Sequence, residues 1–211
     1  MLRKLYHRVS LVLEKRPWGI QVLYHSTRHY KLYEFIESLL VAFFFAALIK
    51  SCLLGTFMIP SESMVPALQV GDRLFVNKLA YLFHPPEVGD IIVFKTPPNI
   101  YDPRKPIYIK RVVGGPGDTV AIENGKLYIN GRLAAHPVIV ENYYTNRVFD
   151  VVSQRPKFYA SETIPEGMVY GFGDNSANSM DSRYWGGIPL KNLKGKAVFR
   201  FWPPRRFGWL E

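Results

Sequence analysis

The chain divides into one long apolar run near its N-terminus and a larger part in which short apolar segments alternate with turns. Residues 38–49 carry no charged side chain, and residues 51–59 continue apolar after Lys50. A helix needs about 20 residues to cross a bilayer. The pattern therefore predicts one transmembrane helix over residues 35–58, with Glu37 and Lys50 near the membrane interfaces. A cleaved signal peptide and a buried helix of a soluble protein are the alternatives.

After Pro66 the apolar segments become short, rich in β-branched and aromatic residues, and separated by Gly, Pro and Asp. Such segments are typical of strands. Glu123-Asn124-Gly125-Lys126 predicts a tight hairpin, and Asn130-Gly131 predicts a second turn. Residues 141–165 are weakly patterned, which indicates an exposed extension or a pair of weak strands. Helix signals are few, so residues 59–211 are predicted to form one mostly β domain built on an antiparallel sheet. The predicted strands are residues 73–76, 90–95, 107–113, 119–123 and 197–202.

Positive charge is concentrated before the apolar run. Residues 1–31 carry seven Lys or Arg against Glu14 alone, in a chain whose net charge is +10. This distribution favours a cytoplasmic segment at residues 1–34 and an extracytoplasmic domain at residues 59–211. Within residues 1–25 the apolar spacing predicts a short amphipathic helix, with a mobile basic tail as the alternative. We expect no nucleic-acid binding, because no zinc-finger, RNA-binding or basic-zipper pattern is present.

Cys52 is the only cysteine. A single cysteine excludes an intramolecular disulfide and a multi-cysteine metal site. We expect the protein to need neither a metal nor another cofactor.

Two serines, Ser61 and Ser63, lie between Pro60 and Pro66 directly after the apolar run. A serine held on a turn between prolines is a candidate nucleophile, although Pro and Ser also mark ordinary turns. The five histidines are poorly placed to serve as its base, because His84 and His136 precede prolines and the other three lie in the basic N-terminal segment. A Ser-His-Asp triad is therefore not expected.

Lysine is the other candidate base, provided that burial lowers its pKa. Lys110 lies in the apolar segment of residues 107–113, and strand alternation places Lys110 and Arg111 on opposite faces. Apolar flanks on both faces predict that at least one of these cations enters an apolar setting. The alternative is an edge strand with two solvated cations.

A third polar group of residues lies between Gly173 and Gly186, where Asp, Asn and Ser are frequent. Such loops often consist of turns with side-chain-to-backbone hydrogen bonds. Asp181 and Arg183 can also form an ion pair here. The residue pattern alone does not establish that Ser63 and Lys110 meet.

These segments together resemble the bacterial type I signal peptidases (leader peptidases), which are membrane-bound serine proteases with a Ser-Lys dyad. Residues 60–66 resemble the nucleophile box, residues 70–78 the next box, residues 108–118 the general-base box, and residues 173–186 the last box. The boxes occur in the family's order, and the resemblance covers about residues 35–205.

The resemblance implies that Ser63 is the nucleophile and Lys110 the neutral general base. Ser61 matches the hydroxyl that completes the oxyanion hole with the Ser63 amide, and Ser179 matches the hydroxyl that orients the lysine. Asp181, Arg183 and Arg111 match supporting residues. The pockets for small substrate side chains are implied to be lined by Phe57, Ile59, Met64, Leu68, Tyr108 and Ile109.

The chain departs from the family pattern at Ser176-Ala177-Asn178, where many members carry Arg-Asp-Asn. The segment between Gly117 and Gly171 is also short. These differences concern the electrostatics of the last box and the size of a β insertion.

The resemblance implies cleavage after small residues, of the Ala-x-Ala kind, in exported preproteins. It implies a monomer in the bacterial cytoplasmic (inner) membrane, with one span and a cytoplasmic N-terminus, whose partners are preproteins and the lipid bilayer. Three alternatives are a peptidase dedicated to one secretion or conjugation substrate, a catalytically silent membrane-anchored scaffold, and a self-cleaving repressor peptidase. The last would need a DNA-binding domain, for which residues 1–60 give no pattern.

Overall fold

The computed structural model describes residues 30–96, 107–150 and 155–210. The chain forms two compact units, residues 1–50 and residues 51–211. Helix α1 runs from Tyr30 to Cys52. The amphipathic helix predicted within residues 1–25 lies outside the described residues. In the described part of the chain, no helix combines the length and the apolar content needed to cross a membrane.

The helix ends earlier than the predicted limit of residue 58. Residues Leu54–Met58 instead form strand β1, which pairs antiparallel with β2, Arg73–Asn77. Gly55 is unfavourable inside a helix, and the β-branched Thr56 with the aromatic Phe57 favours a strand. The β domain therefore begins before the predicted boundary at residue 59.

The described part of the β domain is built on an eight-stranded sheet in which every pair is antiparallel. The prediction of a mostly β, antiparallel domain is confirmed. Besides β1 and β2, its strands are β3 Ile91–Lys95, β4 Ile107–Gly114, β11 Met168–Phe172, β12 Ile188–Pro189, β13 Leu193–Trp202 and β14 Gly208–Trp209. The order across the sheet is β1-β2-β13-β3-β4-β11-β12, with β14 paired to β13.

Strands β3 and β4 lie in the middle of this sheet, and residues 91–94 of β3 and 110–114 of β4 are buried on both faces. Ile92, Val93 and Phe94 have no exposed surface, and neither do Val112 and Val113. Strands covered on both faces read as continuous apolar runs, as these do in the sequence. This central position is what removes the polar residues of β4 from solvent.

A second sheet joins β10 Glu162–Thr163, β5 Thr119–Glu123, β6 Lys126–Ile129 and β7 Arg132–Leu133. Asn124 and Gly125 connect β5 and β6 with φ angles of 48° and 78°. Positive φ at both central residues is the geometry expected for an Asn-Gly hairpin. The predicted hairpin is confirmed.

Helix α2, Pro137–Glu141, precedes the weakly patterned segment of residues 141–165, and this segment contains a two-stranded sheet of β8, Arg147–Asp150, and β9, Arg155–Phe158. The reading as two weak strands is confirmed, but the segment is not simply exposed. Tyr144 is 1% exposed and Tyr159 is 5% exposed. Both rings contact Phe172 of β11 and so extend the core.

Candidate active site

Ser63 lies in a short 3-10 turn, Glu62–Met64, between β1 and β2. The Met64 side chain is buried with Ile59 and Leu68 in one apolar cluster, which fixes the turn to the sheet. Ser63 itself is half-buried, whereas Ser61 is exposed. The two hydroxyl oxygens are 3.4 Å apart. The turn thus carries two neighbouring hydroxyls, and the packing of Met64 in the apolar cluster fixes its backbone.

The Lys110 side chain reaches this turn from the central strand β4. Its Nζ atom donates to Ser63 Oγ at 2.9 Å and to the Ile109 carbonyl at 2.9 Å. Lys110 is 2% exposed, and its Nζ lies 5.7 Å from the centroid of the Tyr108 ring. A hydroxyl and a buried amine in direct hydrogen-bond contact have the geometry required for proton transfer.

Arg111 is also completely buried, so both neighbouring cations of β4 are removed from solvent. Its Nε and Nη2 atoms donate to the two carboxylate oxygens of Asp174 at 2.9 and 2.8 Å, and Nη1 donates to the Gly89 carbonyl at 2.8 Å. The bidentate geometry is the strong form of this ion pair. Arg111 therefore ties β4 to the loop that follows β11.

A second buried ion pair organises that loop. Arg183 Nε and Nη2 donate to Asp181 Oδ1 and Oδ2 at 2.8 and 2.7 Å. Asp181 Oδ2 also accepts the Ser179 hydroxyl at 2.7 Å and the Gly173 amide at 3.0 Å. Asp181 is the N-cap of helix α3, Ser182–Trp185. Ser179, Asp181 and Arg183, three predicted site residues, thus form one hydrogen-bonded group.

Ser176, one of the departures from the family pattern, takes part in the same group. Arg183 Nη1 donates to the Ser176 hydroxyl at 2.5 Å, and Nη2 donates to the Ser176 carbonyl at 2.8 Å. The hydroxyl also accepts the Thr145 amide at 2.9 Å. A serine at this position therefore links the loop to the segment before β8 without adding a charge.

The predicted pocket residues fall into two apolar clusters. Ile59, Met64 and Leu68 are 0–2% exposed, and the partly exposed Phe57 and Ile109 pack against them. Tyr108 packs against another cluster, where its ring meets the Trp185 ring edge-on with the centroids 5.4 Å apart. Five of the six residues therefore pack in one cluster, and Tyr108 lies beside the dyad, with its ring centroid 5.7 Å from Lys110 Nζ.

The sequence did not single out Asn175, Gly173 and Asp174 as site residues. The Asn175 amide donates to the Ser63 carbonyl at 3.1 Å, and Asn175 Nδ2 donates to the Glu62 carbonyl at 3.2 Å. Gly173 packs directly against the Ser63 carbonyl and the Ser179 hydroxyl. The signals in the sequence were the density of Asp, Asn and Ser in this loop and the resemblance of residues 173–186 to the last family box, and neither assigned a role to these three residues.

The family described as "Signal peptidase, peptidase S26" matches residues 32–202. The chain is 40% identical to "Probable signal peptidase I-1" of Synechocystis sp. over 181 residues, which cover 84% of this chain and 86% of the relative. It is 42% identical to "Signal peptidase I" of Leptolyngbya laminosa, covering 72% of this chain and 70% of the relative. A solved signal peptidase I of Enterococcus faecalis aligns with a TM-score of 0.41 and 29% identity, covering 54% of this chain and 97% of that one.

The family match includes Ser63, Lys110 and the whole loop from Gly173 to Gly186, together with the strands that carry them. The two relatives named above are similar over most of their own length as well as over most of this chain. The chain belongs to the signal peptidase family, peptidase S26.

Proposed function

We propose that this chain is a signal peptidase I that hydrolyses exported preproteins with Ser63 as nucleophile and Lys110 as general base. One observation carries the proposal: the amine of a lysine that is 2% exposed lies 2.9 Å from the Ser63 hydroxyl. The family assignment supports a serine endopeptidase acting on preproteins. The residue roles rest on the geometry and on the matching motifs.

Burial disfavours a charged ammonium, and in this proposal Lys110 therefore acts as a neutral amine. A neutral amine has one lone pair and two N–H groups. Its lone pair can accept the Ser63 proton along the 2.9 Å contact while one N–H remains bonded to the Ile109 carbonyl. Lysine can then act as a base near neutral pH.

In the first half of the proposed reaction, Ser63 Oγ attacks the scissile carbonyl carbon while its proton moves to Lys110 Nζ. The developing oxyanion accepts hydrogen bonds from the Ser63 amide and the Ser61 hydroxyl. In other serine proteases one such donor contributes about 3–4 kcal/mol to transition-state stabilisation. The tetrahedral intermediate collapses when Lys110 gives its proton to the leaving amine, which leaves the signal peptide esterified to Ser63.

In the second half, Lys110 removes a proton from water, and the resulting hydroxide attacks the ester carbonyl. The second tetrahedral intermediate expels Ser63 Oγ, which regains its proton from Lys110. The cleaved signal peptide leaves as a carboxylic acid, which becomes a carboxylate by giving its proton to the solvent. The enzyme is then back in its starting protonation state.

We propose that the substrate's small side chains before the cleaved bond bind against the cluster that contains Ile59, Met64 and Leu68. These side chains are almost fully buried, so the partly buried Phe57 and Ile109, which pack against them, offer the apolar surface that a substrate can contact. This supports selection of alanine-sized residues, as in an Ala-x-Ala cleavage site.

We also propose that the chain is a single-pass protein of the bacterial cytoplasmic membrane, monomeric, with residues 1–34 cytoplasmic and the β domain extracytoplasmic. The uncharged run of residues 38–49 and the basic N-terminal segment support this orientation. On α1, Leu40, Phe43 and Phe44 are at least 63% exposed, which suits a lipid environment. Retention of the full chain in membranes washed at alkaline pH tests the anchor, and release into the wash would contradict it.

The activity is tested with a reporter preprotein that carries an Ala-x-Ala site, incubated with the full chain in detergent. We expect Ser63→Ala and Lys110→Arg to lower kcat/KM by at least about a thousandfold, because members of a catalytic dyad act as a unit. Arginine keeps the positive charge but cannot serve as a base. The matched control is Lys196→Arg, which alters a half-exposed lysine paired with Asp90.

Full cleavage by Ser63→Ala would overturn the assignment of the nucleophile. A wild-type chain that folds but cleaves no preprotein would favour the silent scaffold. Cleavage of one preprotein among many would favour the dedicated peptidase. The three outcomes are separable by mass spectrometry of the products.

A further inference from the structure

Asn175 donates hydrogen bonds to two backbone carbonyls of the turn, that of Glu62 before the Ser63 nitrogen and that of Ser63 itself. Its side-chain Nδ2 donates to the Glu62 carbonyl at 3.2 Å. Its backbone amide donates to the Ser63 carbonyl at 3.1 Å. The Glu62 carbonyl also accepts the Val65 amide at 3.1 Å within the 3-10 turn. A single residue thus contacts the backbone on each side of the proposed nucleophile.

The consequence follows from the geometry of the peptide group. The six atoms of a trans peptide are coplanar, and its C=O and N–H bonds point in opposite directions. When the Glu62 carbonyl is held by two donors, the direction of the Ser63 N–H bond is set as well. The Ser63 N–H is one of the two proposed oxyanion donors, and an oxyanion donor is effective only when it is oriented before the reaction.

Asn175 is itself held firmly. Its preceding residue, Asp174, is the partner of the buried Arg111, and its following residue, Ser176, receives hydrogen bonds from the buried Arg183. The Asn178 amide donates to the Asn175 carbonyl at 3.0 Å. Two buried guanidinium groups therefore fix the chain on both sides of Asn175, so that its contacts to the turn are made by a preorganised residue.

We propose that Asn175 is a positioning residue that orients the Ser63 amide for the oxyanion by holding the Glu62 and Ser63 carbonyls. Asn175 touches neither the substrate nor the reacting atoms in this proposal. The inference rests on the proposed function, because it presupposes that Ser63 is the nucleophile.

Two variants of the full chain test the role. Asn175→Ala removes the side-chain donor. Asn175→Asp keeps the size of the side chain and the backbone contact, but faces the Glu62 carbonyl with a carboxylate that cannot donate. The matched control is Asn192→Ala, which removes another amide-to-carbonyl bond of 3.3 Å, from Asn192 Nδ2 to the Lys95 carbonyl, away from Ser63.

We expect both Asn175 variants to lower kcat by about tenfold or more, because complete loss of an oxyanion donor costs about a hundredfold to a thousandfold. KM should stay within about twofold of the wild-type value, since the contacts that bind the substrate before the reaction are unaffected. The control should keep the wild-type kcat. Values of kcat are normalised to the folded fraction, measured by thermal unfolding.

An inhibitor pair separates positioning from general destabilisation. A peptide aldehyde ending in Ala-x-Ala forms a hemiacetal whose oxygen occupies the oxyanion site, whereas the corresponding peptide alcohol does not. Asn175→Asp should weaken the aldehyde by the same factor by which kcat falls and leave the alcohol unchanged. Equal weakening of both inhibitors, or a wild-type kcat in either folded Asn175 variant, overturns the proposal. If Asn175→Ala does not fold, the Asn175→Asp variant decides.

The same assays distinguish this inference from the proposed function. Failure of the function appears as cleavage by Ser63→Ala or as no cleavage by the wild type. Failure of the positioning role appears as full activity in the Asn175 variants while Ser63→Ala remains inactive.

Discussion

Gly173 leaves no room for a side chain beside the proposed nucleophile. A Cβ atom added there would overlap the Ser63 carbonyl, which is backbone and cannot move aside cheaply, and the Ser179 hydroxyl. We expect Gly173→Ala to displace the turn that carries Ser63 and to lower kcat by about tenfold to a hundredfold, because small misplacements of reacting groups are costly. The measurement is cleavage of the reporter preprotein per folded molecule.

Gly208→Ala is the control for this substitution, because no atom lies within 4 Å of the place that its new methyl group would take. Its activity should equal that of the wild type. If Gly173→Ala kept the wild-type kcat, the turn would tolerate the added methyl group, and the overlap with the Ser63 carbonyl would not limit catalysis.

At the residue scale, the sequence was most informative where a residue type is chemically unusual for its surroundings. Lys110 within an apolar strand and Ser63 between prolines both drew attention for this reason, and the structure brings their side chains into contact. Asn175 could not be identified in this way. Asparagine is common in loops, and its contacts with Glu62 join residues that are 113 positions apart.

Among the elements, the central strand β4 and the loop after β11 are connected by the buried pair of Arg111 and Asp174, which are 0% and 5% exposed. Removing one partner of a buried ion pair leaves an uncompensated charge and costs about 3–5 kcal/mol. We therefore expect Asp174→Ala to lower the free energy of unfolding by about this amount. Urea unfolding followed by tryptophan fluorescence measures the effect.

The double variant Arg111→Met with Asp174→Ala should lose less stability than the sum of the two single variants, because no unpaired charge remains. Lys196→Ala serves as the comparison and should cost less, since the Lys196 ammonium is 37% exposed and the buried Asp90 carboxylate keeps a hydrogen bond from Tyr81. Additive losses at Arg111 and Asp174 would contradict a direct coupling between them.

The strands that the sequence predicted are those in which β-branched and aromatic residues lie between clear turn signals. Strands β1 and β11 were not predicted, and each absence has a physical reason. β1 continues the apolar composition of the preceding helix, so the sequence shows no boundary there, and the strand depends on pairing such as that of Phe57 with Leu74. β11 contains Gly171 and is buried at four of its five positions, so it shows no alternation of apolar and polar residues. Its role in the sheet depends on pairing with β4, which local sequence does not encode.

At the scale of the whole molecule, the β domain contains four tyrosines whose pKa is raised, so that their hydroxyls stay protonated at a pH where a free tyrosine ionises. Burial is the main cause that raises the pKa of Tyr81, Tyr159 and Tyr170, and hydrogen bonds to Asp90 and Glu162 add to it for Tyr81 and Tyr170. Burial also raises the pKa of Tyr144 to about 12. Tyr144, Tyr159 and Tyr170 belong to one core cluster and Tyr81 packs against another, so their ionisation concerns the stability of the domain as a unit.

The sign of the pH effect follows from the proton balance. The unfolded chain loses the Tyr144 proton near pH 10, whereas the folded chain keeps it until about pH 12. Between these values the unfolded state binds fewer protons, so the stability falls as the pH rises. The contribution of Tyr144 is fully present below pH 10 and is lost as the pH rises toward 12.

Tyr144→Phe should therefore make the alkaline loss of stability shallower. The hydroxyl receives only a 3.4 Å hydrogen bond from Asn142, so the variant should match the wild type near pH 8. Between pH 10 and 12 it should lose about 2–3 kcal/mol less free energy of unfolding than the wild type, as two pKa units imply. Urea unfolding at a series of pH values measures this difference.

Tyr143→Phe alters the neighbouring tyrosine, which is 73% exposed, and should reproduce the wild-type dependence on pH. An equally steep decline in the Tyr144→Phe variant would show that this hydroxyl does not limit stability in alkali.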